Sequence, residues 1–137
     1  MRRQKPRRTR RPNPLTVSEG FRAFVLDQLE EVGDVTARSM FGGVGVYQKD
    51  VFFGIIAGDA LYLKVDATNQ ANYEAAGMRP FKPYRNRPAS RHYYQVPVDV
   101  LESAFELASW ARKAVAAAER KGKSRVERAS PPVRLTS

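Results

Sequence analysis

The sequence predicts an α+β domain: an antiparallel sheet, a central three-strand meander plus one or two further strands, flanked by N-terminal and C-terminal helices. Three observations carry that prediction. Residues 40–65, MFGGVGVYQKDVFFGIIAGDALYLKV, contain three β-rich runs separated by two-residue turn signals. A stretch with apolar residues at helical spacing precedes them, and a second follows near the C-terminus. Alternation marks a half-buried strand and a 3.6-residue recurrence marks a helix, so the two signals separate.

Taken in order, residues 1–14, MRRQKPRRTRRPNP, combine dense positive charge with three prolines and almost nothing apolar. Such a segment buries too little surface to offset its ordering entropy and is expected to be a disordered basic arm. Its Arg7, Arg8, Arg10 and Arg11 are candidates for phosphate contact without sequence readout. The plainer reading is a solubilising extension. Thr16, with Glu19 three residues on, has the form of a capping box that starts the first helix. Phe21, Phe24, Val25, Leu29 and Val32 make its core-facing stripe. Gly33 stands where a glycine would end it.

Val35 to Arg38 adds a short strand before the meander. Val44 to Gln48 is the first meander strand, and Lys49-Asp50 turns the chain into Val51 to Ala57. Gly58-Asp59, which suits a turn needing positive φ, leads into Ala60 to Val65. The middle strand is apolar on both faces and belongs at the centre of the sheet. Its Gly54 implies a close approach to the backbone. Leu61, Leu63 and Val65 alternate with Ala60, Tyr62 and Lys64, so one set faces the core. Asp66 is a candidate N-cap for a short helix to about Ala76, closed by Gly77. Prolines 80, 83 and 88 rule out a helix across the next stretch. Arg91 to Val96 is a strand that places Tyr93 and Tyr94 on opposite faces and, as an edge, could pair between subunits. Asp99 with Glu102 and Ser103 with Glu106 are competing capping boxes, which a single turn followed by a main helix from Ala104 would reconcile. Leu101, Phe105, Ala108, Ala111 and Val115 form its inward stripe, widened by Leu107, Trp110 and Ala114. It is expected to end near Arg120, leaving residues 121–137 as a flexible basic tail and 15–120 as the folded domain.

Composition excludes several function classes. With no cysteine there are no disulfides, thiolate nucleophiles or cysteine-ligated zinc. One histidine, His92, cannot make a multi-histidine metal site within one chain. The longest apolar run, Val51 to Gly58, is too short to cross a bilayer, and no secretory signal pattern is present, so the expected location is the cytoplasm. The net charge of +10 divides unevenly: residues 1–14 carry +7, residues 121–137 carry +4, and residues 15–120 carry −1. The basicity lives in the tails, whereas a folded DNA reader usually carries it on the fold.

Several strings, in order, resemble the TfoX/Sxy N-terminal domain family: GDVTARSMFGGVGVY, VFFGIIAGDALYLKVD, YEAAGMRPF, YYQVPVDVLE and LASWARKAV. Arg38, Met40, Phe41, Gly42 and Gly43 match its R-x-MFGG string, and Leu61 to Val65 match its LYLKV string. Gly77, Pro80-Phe81, Tyr93-Tyr94, Pro97 and Trp110-Ala111 match later landmarks, so the similarity spans the globular part. The resemblance implies an α+β fold and a link to regulators of bacterial natural competence. Those regulators act as transcriptional coactivators alongside the cyclic-AMP receptor protein. The full-length regulators carry a second, helical domain, and here only a short basic tail follows the N-terminal module. The family supplies no catalytic residues to transfer.

The leading candidate site is the basic loop of Arg79, Lys82, Arg85, Arg87 and Arg91, with no acid between Arg79 and Arg91. Phe81, Tyr84, Tyr93 and Tyr94 are interleaved with it. Guanidinium groups pair with phosphate while rings stack on exposed bases. The plainer reading is a solvated loop whose Phe81 and one tyrosine plug the core while its cations meet Asp27, Glu30 or Glu31. Gly42, Gly43 and Gly45 do not form a dinucleotide fingerprint, because the sixth position after Gly43 is Gln48 and a strand follows. Gly122-Lys123-Ser124 lacks the preceding glycine and strand of a nucleotide loop. His92 has no orienting acid or nucleophile in the sequence. Asp50, Asp59 and Asp66 fall at turns, where carboxylates bond local backbone. No cofactor or metal is implied.

The expected function is therefore a non-enzymatic regulatory module. It would act through protein partners, such as transcription machinery or a transcription factor, with weak non-specific DNA contact through the basic loop and tails. The alternative is a protein-binding adaptor with no nucleic-acid role. A third reading, an enzyme or small-ligand binder, requires a pocket lined by Tyr47, Tyr62, His92 and Trp110.

Overall fold

A computed structural model describes residues 16–40, 42–82 and 88–129, with side chains up to Lys121. Arg7, Arg8, Arg10, Arg11, Arg85 and Arg87 lie outside the described residues. The elements run α1 (Glu19–Gln28), β1 (Val35–Met40), β2 (Gly43–Gln48), β3 (Val51–Ala57), β4 (Ala60–Lys64), α2 (Gln70–Ala75), β5 (Pro80–Phe81), β6 (Ser90–Gln95), α3 (Val98–Leu101) and α4 (Ala104–Ala129). A 3-10 turn at Glu30–Val32 follows α1, and Gly33 ends it at φ 85°. The six strands form one sheet in the order β1-β2-β3-β4-β6-β5, with every neighbour antiparallel. The doubly apolar β3 lies inside the sheet, as its pattern requires. Among the described residues, no helix is long and apolar enough to cross a membrane.

Register explains how one sheet carries two chemically different faces. Val46 of β2 lies opposite Gly54 of β3, whereas the next residue, Tyr47, lies opposite Phe52. Phe53 is the extra residue of a β-bulge. The bulge sends Phe53 into the core, where it is fully buried, and leaves Phe52 on the other face. The helix side of the sheet comprises Val44, Val46, Ile56, Leu61, Leu63 and Tyr94. These pack with Val25 and Leu29 of α1 and with Leu107, Ala111 and Ala114 of α4 into a single core. Small alanines on α4 let that helix lie close to the sheet. Gly54 relieves crowding within the sheet itself: a Cβ there would come within 3.1 Å of the Tyr62 carbonyl oxygen and of Leu63 Cδ2 on the neighbouring strand.

Side-chain bonds to backbone position the helices. Ser18 caps α1, its Oγ accepting from the Phe21 N–H at 3.1 Å. Thus the cap lies two residues after the predicted one, Thr16, and Glu19 falls in the first turn, at the positive end of the helix dipole. Gln28 Nε2 donates to the Leu101 carbonyl at 3.0 Å, joining α1 to α3. The Arg112 guanidinium donates to the Glu31 carbonyl at 3.1 Å, joining α4 to the 3-10 turn. Of the two predicted capping signals before the last helix, one is used: Ser103 Oγ accepts from the Glu106 N–H to start α4, whereas the single turn α3 begins after Pro97, with Asp99 inside its first turn and no side-chain cap.

The structure departs from the sequence reading in several places. Phe105 is 79% exposed and Phe24 is 38% exposed, so neither belongs to a core stripe. The predicted Leu107, Ala108, Ala111 and Ala114 are buried and, with Ala117, set the buried face of α4, rotated away from Phe105. This helix continues past Arg120 to Ala129. Strand β6 is not an edge, because β4 and β5 pair with its two sides. The two-residue β5 forms despite Pro80 because it is the outermost strand, where a missing N–H is tolerated. Asp66 does not cap α2 directly: a turn over residues 67–69 intervenes, with Asn69 at the cap position.

Candidate functional site

Two surfaces gather the polar and aromatic side chains of interest, and they meet at the end of β4. The first is a groove of about 460 Å³ lined by Lys64, Val65, Asp66, Gln70, Arg91, His92, Ala117, Arg120 and Lys121. Its floor is fixed where the Val65 N–H donates to the His92 carbonyl at 2.8 Å, tying the exit of β4 to the start of β6. Asn69 fixes the backbone of the lining residues Lys64 and Asp66. It is 2% exposed, donates from Nδ2 to the Lys64 carbonyl at 3.1 Å, and accepts from the Asp66 N–H at 2.8 Å.

Asp66 is the acid among these lining residues, and it is already engaged. Its Oδ1 accepts from the Thr68 N–H at 2.9 Å and from the Thr68 hydroxyl at 2.6 Å. The Arg120 guanidinium donates to Oδ2, with Nε at 2.9 Å, and to Thr68 Oγ1 at 2.9 Å. Burial pushes the Asp66 carboxyl up, but the Thr68 bonds and Arg120 together outweigh it and hold the group below its ordinary value. Arg120 is thereby orientated at the groove rim. Arg91, His92 and Lys121 are exposed along the same groove, while Lys64 is 7% exposed with Nζ 5.2 Å from the centroid of the Tyr93 ring. Burial and the charges of Lys64 and Lys121 keep the His92 imidazole below its ordinary value. Burial disfavours charge of either sign, but the part of the shift that comes from the two lysines reflects a positive local field, which favours an anion.

The second surface is the sheet face opposite the helices. Its rings, Tyr47, Phe52, Tyr62, Phe81 and Tyr93, are half-buried and stand apart from the core cluster. Tyr47 and Phe52 lie 5.2 Å apart, Phe52 and Tyr93 5.8 Å, and Tyr62 and Phe81 4.7 Å, all tilted. The Arg38 guanidinium sits 5.0 Å from the Tyr47 ring centroid. Burial, then the Asp59 charge, raise the pKa of the Tyr62 hydroxyl.

The predicted basic loop is divided between these surfaces. Arg91 enters the groove, whereas Arg79 and Lys82 flank the outermost strand and are exposed. Among the described residues, none of the three forms an ion pair with Asp27, Glu30 or Glu31; the pair observed is Arg120 with Asp66 at 2.8 Å. Phe81 and Tyr93 face the open side, while Tyr94 packs against Tyr73 in the core. Lys64, Arg120 and Lys121 were not singled out in the sequence as site residues. They are distant in the chain from Arg91, and only the pairing of β4 with β6 under α4 brings them together. The pocket required for a small-ligand enzyme does not assemble: Tyr47 and Tyr62 are on the open face, while Trp110 stacks edge-on against Tyr73 at 4.7 Å. The glycines at 42, 43 and 45 lead into and occupy β2 rather than cradling a phosphate, with Gly42 at φ 87°. Among the described residues, no cluster of three or more His, Asp or Glu side chains could hold a metal ion.

Comparison with known proteins agrees with this architecture. The family profile described as TfoX N-terminal domain matches residues 27–118. The chain is 30% identical over 69 residues to the DNA transformation protein TfoX1 of Aliivibrio fischeri, an alignment covering 50% of this chain and 33% of that protein. The chain therefore spans about a third of that relative's length. The matched profile covers the sheet, α2, α3 and the core-packed part of α4, and the chain belongs to the TfoX N-terminal domain family.

Proposed function

We propose that this chain is a non-enzymatic regulatory module of the competence-associated TfoX type, acting by binding other macromolecules, with the groove taking phosphate oxygens of nucleic acid. The observation that supports this reading is the convergence of Lys64, Arg91, Arg120 and Lys121 around His92, with the nearby acid already held by Arg120 and Thr68. Family membership supports the regulatory part, and the name of the relative, a DNA transformation protein, is consistent with it. Contacts of this kind give weak, sequence-independent affinity, about 10⁻⁴ to 10⁻⁶ M at physiological salt.

The test is fluorescence anisotropy with a labelled duplex across a salt series. Arg91→Glu combined with Lys121→Glu changes two exposed side chains and should weaken binding while lowering the log–log salt slope by about 2. An unchanged slope would remove the groove from the interaction. Deleting residues 1–14 should lower the slope independently, since the arm carries seven cations and no acid. A protein-binding adaptor is favoured by one separate observation, the exposure of Phe105 at 79% and Val98 at 62% near the start of α4. That reading predicts no duplex shift at low salt and co-purification with one defined protein.

A further inference from the structure

The open face of the sheet has a composition that structural duty alone does not explain. Strands that leave one face to solvent normally clothe it in polar side chains. Here that face carries five aromatic rings, and the strand positions between them supply cations. Arg38 lies across from Gly45, and Lys64 lies across from Tyr93. Asp50 and Asp59 sit in the turns that join the strands rather than on the strands. Gly45 matters to the geometry. A Cβ there would fall 2.9 Å from Met40 Sδ, 3.1 Å from Phe52 Cε1 and 3.3 Å from Tyr47 Cε1. The missing side chain leaves room for those two rings over the Gly45 backbone.

We propose that this face is a stacking platform for the bases of single-stranded nucleic acid. Rings supply the base contacts, Arg38 adds a cation beside Tyr47, and the phosphate chain runs past Lys64 and Arg91 into the groove. The charge is complementary to a polyanion and the rings to unpaired bases, a combination that suits single strands better than duplexes, whose bases are stacked away. Lys64 belongs to both surfaces: its Nζ lies over Tyr93, and the residue is among those that line the groove. The choice of nucleic acid rests in part on the phosphate reading of the groove, and the test keeps the two apart.

The probes are a fluorescein-labelled oligothymidylate of about ten nucleotides, an abasic deoxyribose-phosphate strand of equal length, and a blunt duplex, each titrated against the full chain at low salt. Phe52→Leu with Tyr93→Leu keeps apolar bulk and removes two ring faces. Near-ultraviolet circular dichroism of the Tyr73–Trp110 pair, on the opposite side of the sheet, checks that the fold is intact. The expected result is thymidylate binding weakened about tenfold or more with duplex binding unchanged, and native binding to the abasic strand weaker by a similar factor. Arg38→Gln, an exposed change that does not threaten the fold, should weaken thymidylate binding severalfold and serves if the double variant fails to fold. Equal affinity for thymidylate and abasic strands would overturn the platform while leaving the groove reading standing. So would native-like thymidylate binding by the ring variants, or no binding by the native chain. Sedimentation that shows a dimer lost in the double variant, without loss of thymidylate binding, would reassign the face to contact between copies. Loss of duplex binding in Arg91→Glu with Lys121→Glu, by contrast, bears on the groove alone.

Discussion

Tyr73 gives the sharpest test of the packing described above. It is 1% exposed, stacked edge-on against Trp110 and tilted against Tyr94 at 5.9 Å, and its hydroxyl has no hydrogen-bond partner among the described residues. Burial pushes its pKa far above the ordinary phenol value. A buried hydroxyl without a partner costs about 1–3 kcal/mol relative to its hydrated state. Tyr73→Phe removes the oxygen and keeps both ring contacts. The void left behind is the size of one atom, and at about 24 cal/mol per Å³ it costs roughly a few tenths of a kcal/mol. The expected net effect is stabilisation by about 1 kcal/mol, or a Tm rise of about 4–8 °C for a domain of this size. Urea denaturation at constant m measures it directly. Tyr94→Phe is the control. The Tyr94 hydroxyl accepts from Gln70 at 3.4 Å and donates to Glu74 at 3.5 Å, long bonds whose loss should cost no more than about 1 kcal/mol. If Tyr73→Phe were instead destabilising by 1 kcal/mol or more, the hydroxyl must be hydrogen-bonded in solution, and the account of this side of the core would be wrong.

Three further outcomes follow from the same geometry. Ser18→Ala and Ser103→Ala should each cost about 1 kcal/mol in chemical denaturation, because both hydroxyls cap helices, while Thr16→Ala should cost almost nothing. Phe105→Ser should stay within about 0.5 kcal/mol of native stability, whereas Leu107→Ala, fully buried two positions on, should lose about 2–5 kcal/mol. Inorganic tripolyphosphate should bind the groove more tightly as pH falls through the His92 titration, measured by calorimetry. Burial, then the charges of Lys64 and Lys121, hold the His92 pKa below its ordinary value, so the imidazole gains its charge on the acid side of that value and a bound anion favours the charged form. For the free protein the sign is opposite. A depressed histidine pKa contributes stability above the unfolded value, near 6.5, that declines as pH falls through it. His92→Gln should flatten the binding profile.

Local pattern was sufficient to determine the meander, the presence of β6 and the start of α4. Two-residue turns at Lys49-Asp50 and Gly58-Asp59 set the meander, with Lys49 at φ 57° and Gly58 at φ 60°, because only a few residues tolerate that conformation. Alternation in β4 placed Leu61 and Leu63 inward, and Ser103 started α4, because side-chain period and capping are properties of neighbouring residues. The family resemblance was likewise written in the strings themselves.

Tertiary contact decided the rest. Periodicity admits Phe105 to the stripe of α4, but the sheet takes the face through Leu107 and Ala111, and a helix can offer only one face to one sheet. A bulge at Phe53, invisible to an alternation rule that counts by twos, sorted Phe52 from Phe53 and so created the aromatic face. The groove needed β4, β6 and α4 to converge, and no local rule relates Lys64, Arg91 and Arg120. Charge clusters that are contiguous in sequence can be read there. Those assembled from three elements exist only once the chain has folded.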